Sequence, residues 1–355
     1  MLNSLSAEEE QQMAEPRIAV VGTGANGAAI GADLTRAGHD VTFIDQWPAH
    51  VEAMRADGVR VESPDGVEVT EVRAFHVCEV ATLREPFDLV ILGVKAYDTR
   101  WTSELIRPLL KPDGAAVGIQ NGMTVDDMTA VFGPERTLGA VIGIAGNLFT
   151  PGVVERQVAR SGTWFALGAP DPAAAGRVDA MADVLRHAGR VDVTDDILSA
   201  KWMKLVANAA EMVPSAILGV PLIEAAHIPG MREVMDAAGT EALAAGLTIG
   251  HRIVPMFGQE GIDELAPEDY APALLDAVLG GWSLEDTRVA VLQDWIKGRH
   301  AEGEEINGLV VVEQERRGGQ APVNARLMEV ARRIEAGELT PDPANAKLLV
   351  PALER

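Results

Sequence analysis

The sequence holds a single cysteine, Cys78, in 355 residues. One thiol makes no internal disulfide, which fits a reducing cytoplasm as the expected location, and it excludes a cysteine-ligated metal site. No metal is expected. Basic residues are also scarce: 30 lysines and arginines stand against 53 acids, a formal net charge of −23. Nucleic acid and anionic membranes both need a basic face, so neither is expected as a partner. Apolar runs are short, and none approaches the roughly 18 residues of a membrane span. The opening MLNSLSAEEEQQ has neither the basic start nor the apolar centre of a signal peptide. Residues 1–15 are expected to form a polar, flexible tail. Internal repeats, low-complexity tracts and long linkers are absent as well.

What is present is 47% hydrophobic residues, ample for two buried cores in a chain of this length. The chain is organised around Arg17 to Asp45, RIAVVGTGANGAAIGADLTRAGHDVTFID. Arg17–Val21 is an apolar run suited to a strand buried on both faces of a parallel sheet. Gly22-Thr23-Gly24-Ala25-Asn26-Gly27 follows at once and fits G-x-G-x-x-G. The first glycine permits a tight turn, the second lets backbone approach a pyrophosphate, and the third lets helix pack closely on strand. Free N–H groups and the positive end of the helix dipole then face the phosphates. Gly38 is expected to close this helix, and Val41–Asp45 to form the second strand. An acid at that strand end sits where a ribose 2′-OH would bind. Because its charge would repel a 2′-phosphate, Asp45 favours NAD over NADP.

Further along, Val51–Gly58 reads as a short helix and Val59–Val69, around Pro64-Asp65-Gly66, as a hairpin. Phe87–Val94 is another central strand, ending at Lys95 on the ligand-binding edge, and Ala115–Ile119 runs directly into Gln120-Asn121-Gly122-Met123. Asn121 therefore reaches the same edge, where an amide can donate and accept; Asn-Gly alone would read as a turn. The segments GAVIGIAG, GVVERQV and TWFALGA extend the sheet, with one helix over Pro172–Ala188. Thr194 reads as an N-cap for a helix reaching about Val213. Beyond it the pattern is helical, which sets a domain boundary near 194. The expected fold is α/β: a Rossmann-type, doubly wound dinucleotide-binding domain over 16–194 and an all-helical substrate and dimerisation domain over 195–355. On the helix SAKWMKLVANAAEMVPSA, Lys201, Lys204, Asn208 and Glu211 form a polar stripe. Such a stripe is usually solvated. If it lines a cleft, Lys204 and Asn208 present an ammonium and an amide to one small ligand.

At this point the residues carry a family likeness. GTGANG, V-K-A at 94–96, Q-N-G-M at 120–123, W-x-K-L-x-x-N from Trp202 to Asn208, L-Q-D at 292–294, G-R-H-A-E at 298–302 and I-N-G at 306–308 occur in one order. In this the chain resembles the ketopantoate reductase family over roughly residues 16 to 335. The resemblance implies an NAD(P)-dependent oxidoreductase acting on CH–OH groups, and a homodimer. It makes Lys204 the general acid toward a ketone, or the base toward an alcohol. Glu302 becomes a hydrogen-bonding partner at the reacting oxygen, and Asn121 and Asn208 substrate-contacting amides. Two positions depart from the family. Its second helix asparagine has no counterpart, since Met212-Val213 precedes Pro214, and its carboxylate-gripping serine aligns with Ala290. Both changes leave a substrate carboxylate poorly paired. Asp45 departs too, since ketopantoate reductases proper are NADP-dependent. Together these favour an NAD-linked enzyme for a 2-oxo acid and 2-hydroxy acid pair, or a related ketone and secondary alcohol. Two alternatives are another two-domain hydroxy-acid dehydrogenase and a non-catalytic NAD-binding redox sensor.

Overall fold

The computed structural model describes residues 16–259, 261–281 and 283–354, so the expectation for residues 1–15 lies outside the described residues. The strands are β1 (Arg17–Val21), β2 (Asp40–Asp45), β3 (Val59–Ser63), β4 (Gly66–Thr70), β5 (Arg73–His76), β6 (Phe87–Leu92), β7 (Leu110–Gly118), β8 (Thr137–Gly143), β9 (Gly146–Asn147), β10 (Val153–Arg156), β11 (Trp164–Gly168) and β12 (Arg190–Val193). Eight of them form one sheet in the order β12-β11-β8-β7-β6-β1-β2-β5. From β5 to β8 neighbours are parallel; β11 runs against β8. Because β1 needs cover on both faces, its side chains divide. Ile18 and Val20 pack with Ala28 and Ile30 of the helix Ala25–Arg36, while Ala19 and Val21 pack with Ile106 and Met128 on the other side. The chain builds outward from β1 to β2 and then returns to β6 on its other flank. That reversal opens a crevice beyond the carboxyl ends of β1 and β6, the usual ligand edge of such a sheet.

Gly38 stands where expected, at φ +101, with its N–H on Thr35 O and the His39 N–H on Leu34 O. The β3–β4 hairpin also forms as expected. Three local readings are corrected. The helix read over 51–58 begins earlier, at Pro48, because proline fits the first helical turn, where no N–H partner is needed. The helix read over 172–188 is a tighter turn, Pro172–Arg177, followed by an α-helix over Val178–Leu185. GVVERQV does not extend the main sheet: β10 pairs with β3 and β9 in a separate four-stranded sheet. A buried ion pair, Arg156 to Asp33 at 2.7 Å, ties that small sheet to the first helix.

Past Val193 the described residues hold helices and no strand. The long helix Ile197–Leu218 departs from expectation at both ends. Its N-cap is Asp196, whose Oδ1 accepts from Ser199 N–H at 3.1 Å, while the Thr194 hydroxyl accepts one step earlier, from Asp196 N–H. At the other end it continues through Pro214 to a left-handed Gly219. Proline removes one helical donor, but nearly every residue from 197 to 218 is buried, and packing outweighs that local cost.

Candidate active site

The three motif glycines do different things. Gly22 has φ +86, and a Cβ there would lie 2.5 Å from Val94 N, so only glycine turns this closely under β6. A Cβ on Gly27 would sit 2.1 Å from Gly22 O, which is the close helix-to-strand contact expected of the third glycine. Gly24 is the opposite case. Its Cβ would meet nothing within 4 Å, because it borders a cavity of about 210 Å³ at the sheet edge. A bare backbone turn at a helix N-terminus, facing open space, fits a nucleotide pyrophosphate.

Asp45 and Thr23 shape the rim of this cavity. The Asp45 carboxylate accepts from Thr23 N–H at 2.7 Å, from the Thr23 hydroxyl at 3.1 Å and from Trp47 N–H at 2.8 Å. It therefore braces the glycine turn, with acceptor capacity left over on Oδ1. His50 adds a second brace: its Nδ1 accepts from Gly152 N–H at 2.9 Å, so Nε2 carries the proton and donates to Thr23 O at 2.8 Å. Burial holds this imidazole below its ordinary pKa, in keeping with the neutral tautomer. Trp47 stacks on His50, and the Arg299 guanidinium lies 4.9 Å over the Trp47 ring. Sequence reasoning missed Trp47, His50 and Arg299, since stacking between distant segments leaves no spacing to read.

Lys95 also lines the cavity, and its ammonium donates to Asp294 at 2.5 Å and approaches Glu302 at 3.4 Å. Ala96 N–H donates to the other Glu302 oxygen at 2.8 Å. Burial alone would weaken the ammonium, but Glu302 and Asp294 more than offset it and raise the Lys95 pKa. Asp294 is thus the ion-pair partner of Lys95. The sequence reading sets Glu302 opposite Lys204; the structure holds the Glu302 carboxylate with Lys95 and Ala96, and it shares no hydrogen bond or ion pair with Lys204.

Lys204 lines a second cavity, of about 140 Å³. The two cavities adjoin, sharing Asn26, Asn121, Ala290 and Gln293 as walls. At the junction, Asn208 Nδ2 donates to Asn121 Oδ1 at 3.1 Å, while the buried Asn208 Oδ1 has no partner among the described residues. An unpaired buried acceptor is costly unless a donor arrives, which suits a ligand hydroxyl or amide. The Lys204 ammonium lies 4.9 Å over the Phe257 ring. Burial lowers its pKa, and Glu211 opposes that shift in part.

The polar stripe is not solvated. Lys201, Asn208 and Glu211 are all buried. Lys201 turns away from the second cavity to donate to Gln120 O at 2.9 Å and Ala140 O at 3.4 Å, fastening the Asn121 turn and β8 to the long helix. Burial brings its pKa down to about 8, and a neutral amine still has two N–H groups for those two carbonyls. Between about pH 8 and 10 the unfolded chain thus binds the extra proton, so this group makes stability rise with pH there. Urea unfolding of the wild type and of Lys201→Met across that range should show the difference between them growing by roughly 1–3 kcal/mol in favour of the wild type. A difference independent of pH would contradict the assignment.

The comparisons with known proteins agree with this geometry. Residues 18–169 match the family described as ketopantoate reductase PanE/ApbA, and residues 196–335 match its C-terminal part. A 2-dehydropantoate 2-reductase of Archaeoglobus fulgidus is 29% identical over 90% of this chain and 98% of its own. Its counterpart from Mesorhizobium japonicum is 29% identical over 84% and 90%. Among solved structures, a PanE/ApbA family ketopantoate reductase from Ralstonia eutropha aligns with a TM-score of 0.76 at 26% identity, covering 91% of this chain and 99% of that one. A D-mandelate dehydrogenase solved with NADH and anilino(oxo)acetate has a TM-score of 0.79 at 20% identity over 90% and 99%, a likeness of fold. With an α/β sheet bearing the glycine turn, a helical region bearing the lysine, and both halves matched in order, the chain belongs to the ketopantoate reductase family of oxidoreductases.

Proposed function

We propose that this protein is an NAD-linked oxidoreductase that interconverts a small 2-oxo acid and its 2-hydroxy acid, or a related ketone and secondary alcohol, with Lys204 as the proton-transfer group. The observation that carries the reading is the junction of the two cavities, which sets the Lys204 cavity beside the one at the glycine turn. The nicotinamide supplies the hydride when bound. The chain's residues do the rest. Gly24 and the helix start receive phosphate, Asn121 and Asn208 orient the ligand at the junction, and Lys204 gives a proton to the oxygen in reduction or takes it in oxidation. Glu302, held by Lys95 and the Ala96 N–H, lines the glycine-turn cavity from the helical side. Ala290 and Met212 line the Lys204 cavity where the resemblance has hydrogen-bonding groups, which argues against ketopantoate itself.

Cofactor choice is the direct test. Asp45 is buried at the cavity rim, and a 2′-phosphate there would meet a like charge, so NAD should exceed NADP in kcat/KM by roughly tenfold or more. Steady-state rates with both cofactors decide this. A preference for NADP would overturn the reading of Asp45 and shift attention to Arg299, the nearby cation over Trp47.

A further inference from the structure

The family likeness assigns no role to Glu211, a carboxylate inside the Lys204 cavity. Glu211 follows Lys204 by seven positions on one helix, two turns along the same face and about 10 Å along the axis. Both line the second cavity. The residue is only 5% exposed, yet among the described residues its carboxyl oxygens take no hydrogen bond and form no ion pair, and Glu211 is part of the cavity lining. Met212, Leu222 and Phe257 form part of an apolar wall around it, while Gln157, Thr287 and Arg288 line a polar part. A buried carboxyl among such walls is costly unless something pairs with it. The span between Lys204 and Glu211 suits a small substrate lying along the helix, its reacting carbon at one end and its far end at the other.

Resting on the function proposed above, we propose that Glu211 is the specificity wall of the substrate site. It accepts a hydrogen bond from a donor at the end of the substrate remote from the reacting carbon, and so selects hydroxyl- or ammonium-bearing substrates over those ending in a methyl or a second carboxylate. A second carboxylate would bring a like charge into the Glu211 cavity, and a methyl would leave Glu211 unpaired; either loses to a donor. Burial pushes the Glu211 pKa up and Lys204 opposes this, but a carboxyl accepts from a donor in either protonation state.

The test uses a matched series of 2-oxo acids of one chain length ending in methyl, hydroxyl, ammonium or carboxylate, with NADH. Wild-type kcat/KM should favour the hydroxyl or ammonium member over the methyl member by about tenfold or more, chiefly through KM. Glu211→Leu should erase that preference. Glu211→Gln, isosteric and safe for folding, should keep a hydroxyl preference but lose an ammonium one, which tells the two donors apart. Wild-type selectivity below about threefold, or a Glu211→Leu loss that is equal across the series and lies in kcat, would overturn the proposal; the latter makes Glu211 only a partner of Lys204. Calorimetry of the same series with NAD bound reads selectivity without turnover. Selective binding with no turnover would support the Glu211 wall while counting against the hydride-transfer reading.

Discussion

Lys204→Ala should lose about 10²–10⁴ in kcat while still binding NAD, since that is the usual loss when a general acid or base is removed. The argument rests on placement. Among the nearby lysines, Lys95 and Lys297 line the glycine-turn cavity and not the second one, Lys95 is tied to Asp294 and Glu302, and Lys201 lines neither cavity and is turned onto two backbone carbonyls. Lys204 lines the small cavity over an aromatic ring, with no hydrogen bond or ion pair among the described residues. Its lowered pKa gives the effect a sign. Oxidation, which needs the neutral amine, should rise with pH to a plateau below the ordinary lysine value of 10.5. Reduction, which needs the ammonium, should fall across the same interval. Rates in both directions against pH, with NAD titrations of the variant, check this. Near-normal kcat in Lys204→Ala would remove the assignment.

Gly27→Ala should damage both stability and nucleotide affinity, although it adds one methyl group. That Cβ would lie 2.1 Å from Gly22 O, so helix and turn must separate. Forced overpacking typically costs about 1–3 kcal/mol, and the same displacement misplaces the N–H groups that meet phosphate, so NAD affinity should fall roughly tenfold or more. Gly280→Ala is the counter-case. Gly280 lies at an exposed position of the helix Pro267–Gly281, with nothing among the described residues within 4 Å of its would-be Cβ, so alanine should stabilise the protein by about 0.5–1 kcal/mol. Thermal unfolding and NAD titration of both variants make the comparison. Equal behaviour would show that the close contact at Gly27 is not limiting.

The dinucleotide half was legible because its signals are local. An apolar run, three glycines and a strand-end acid fall in sequence, and each has one physical reading. The long helix was legible as a helix but not in its surroundings. Lys201, Asn208 and Glu211 form a stripe that a sequence reads as solvated, and only packing against β8 and the Asn121 turn shows it buried. Pro214 misled for the same reason, since its local cost was visible and the burial that offsets it was not. Pairings between distant segments were the least legible. Glu302 with Lys95 and Ala96, His50 between Thr23 and Gly152, and Arg299 over Trp47 each join residues whose spacing carries no period. The sequence reading therefore singled out Lys204 and Glu302, but placed Glu211 only in a polar stripe and not in the Lys204 cavity.

The most direct test of hydride transfer at the cavity junction is a single-turnover experiment. Purified protein with NADH bound is mixed rapidly with a panel of 2-oxo acids and ketones, and the reduced nicotinamide absorbance is followed. At least one member of the panel should oxidise the bound NADH stoichiometrically, with the 2-hydroxy acid or alcohol recovered in equal amount. NADH that binds tightly yet stays reduced with every member of the panel would contradict the account and favour a nucleotide-binding sensor.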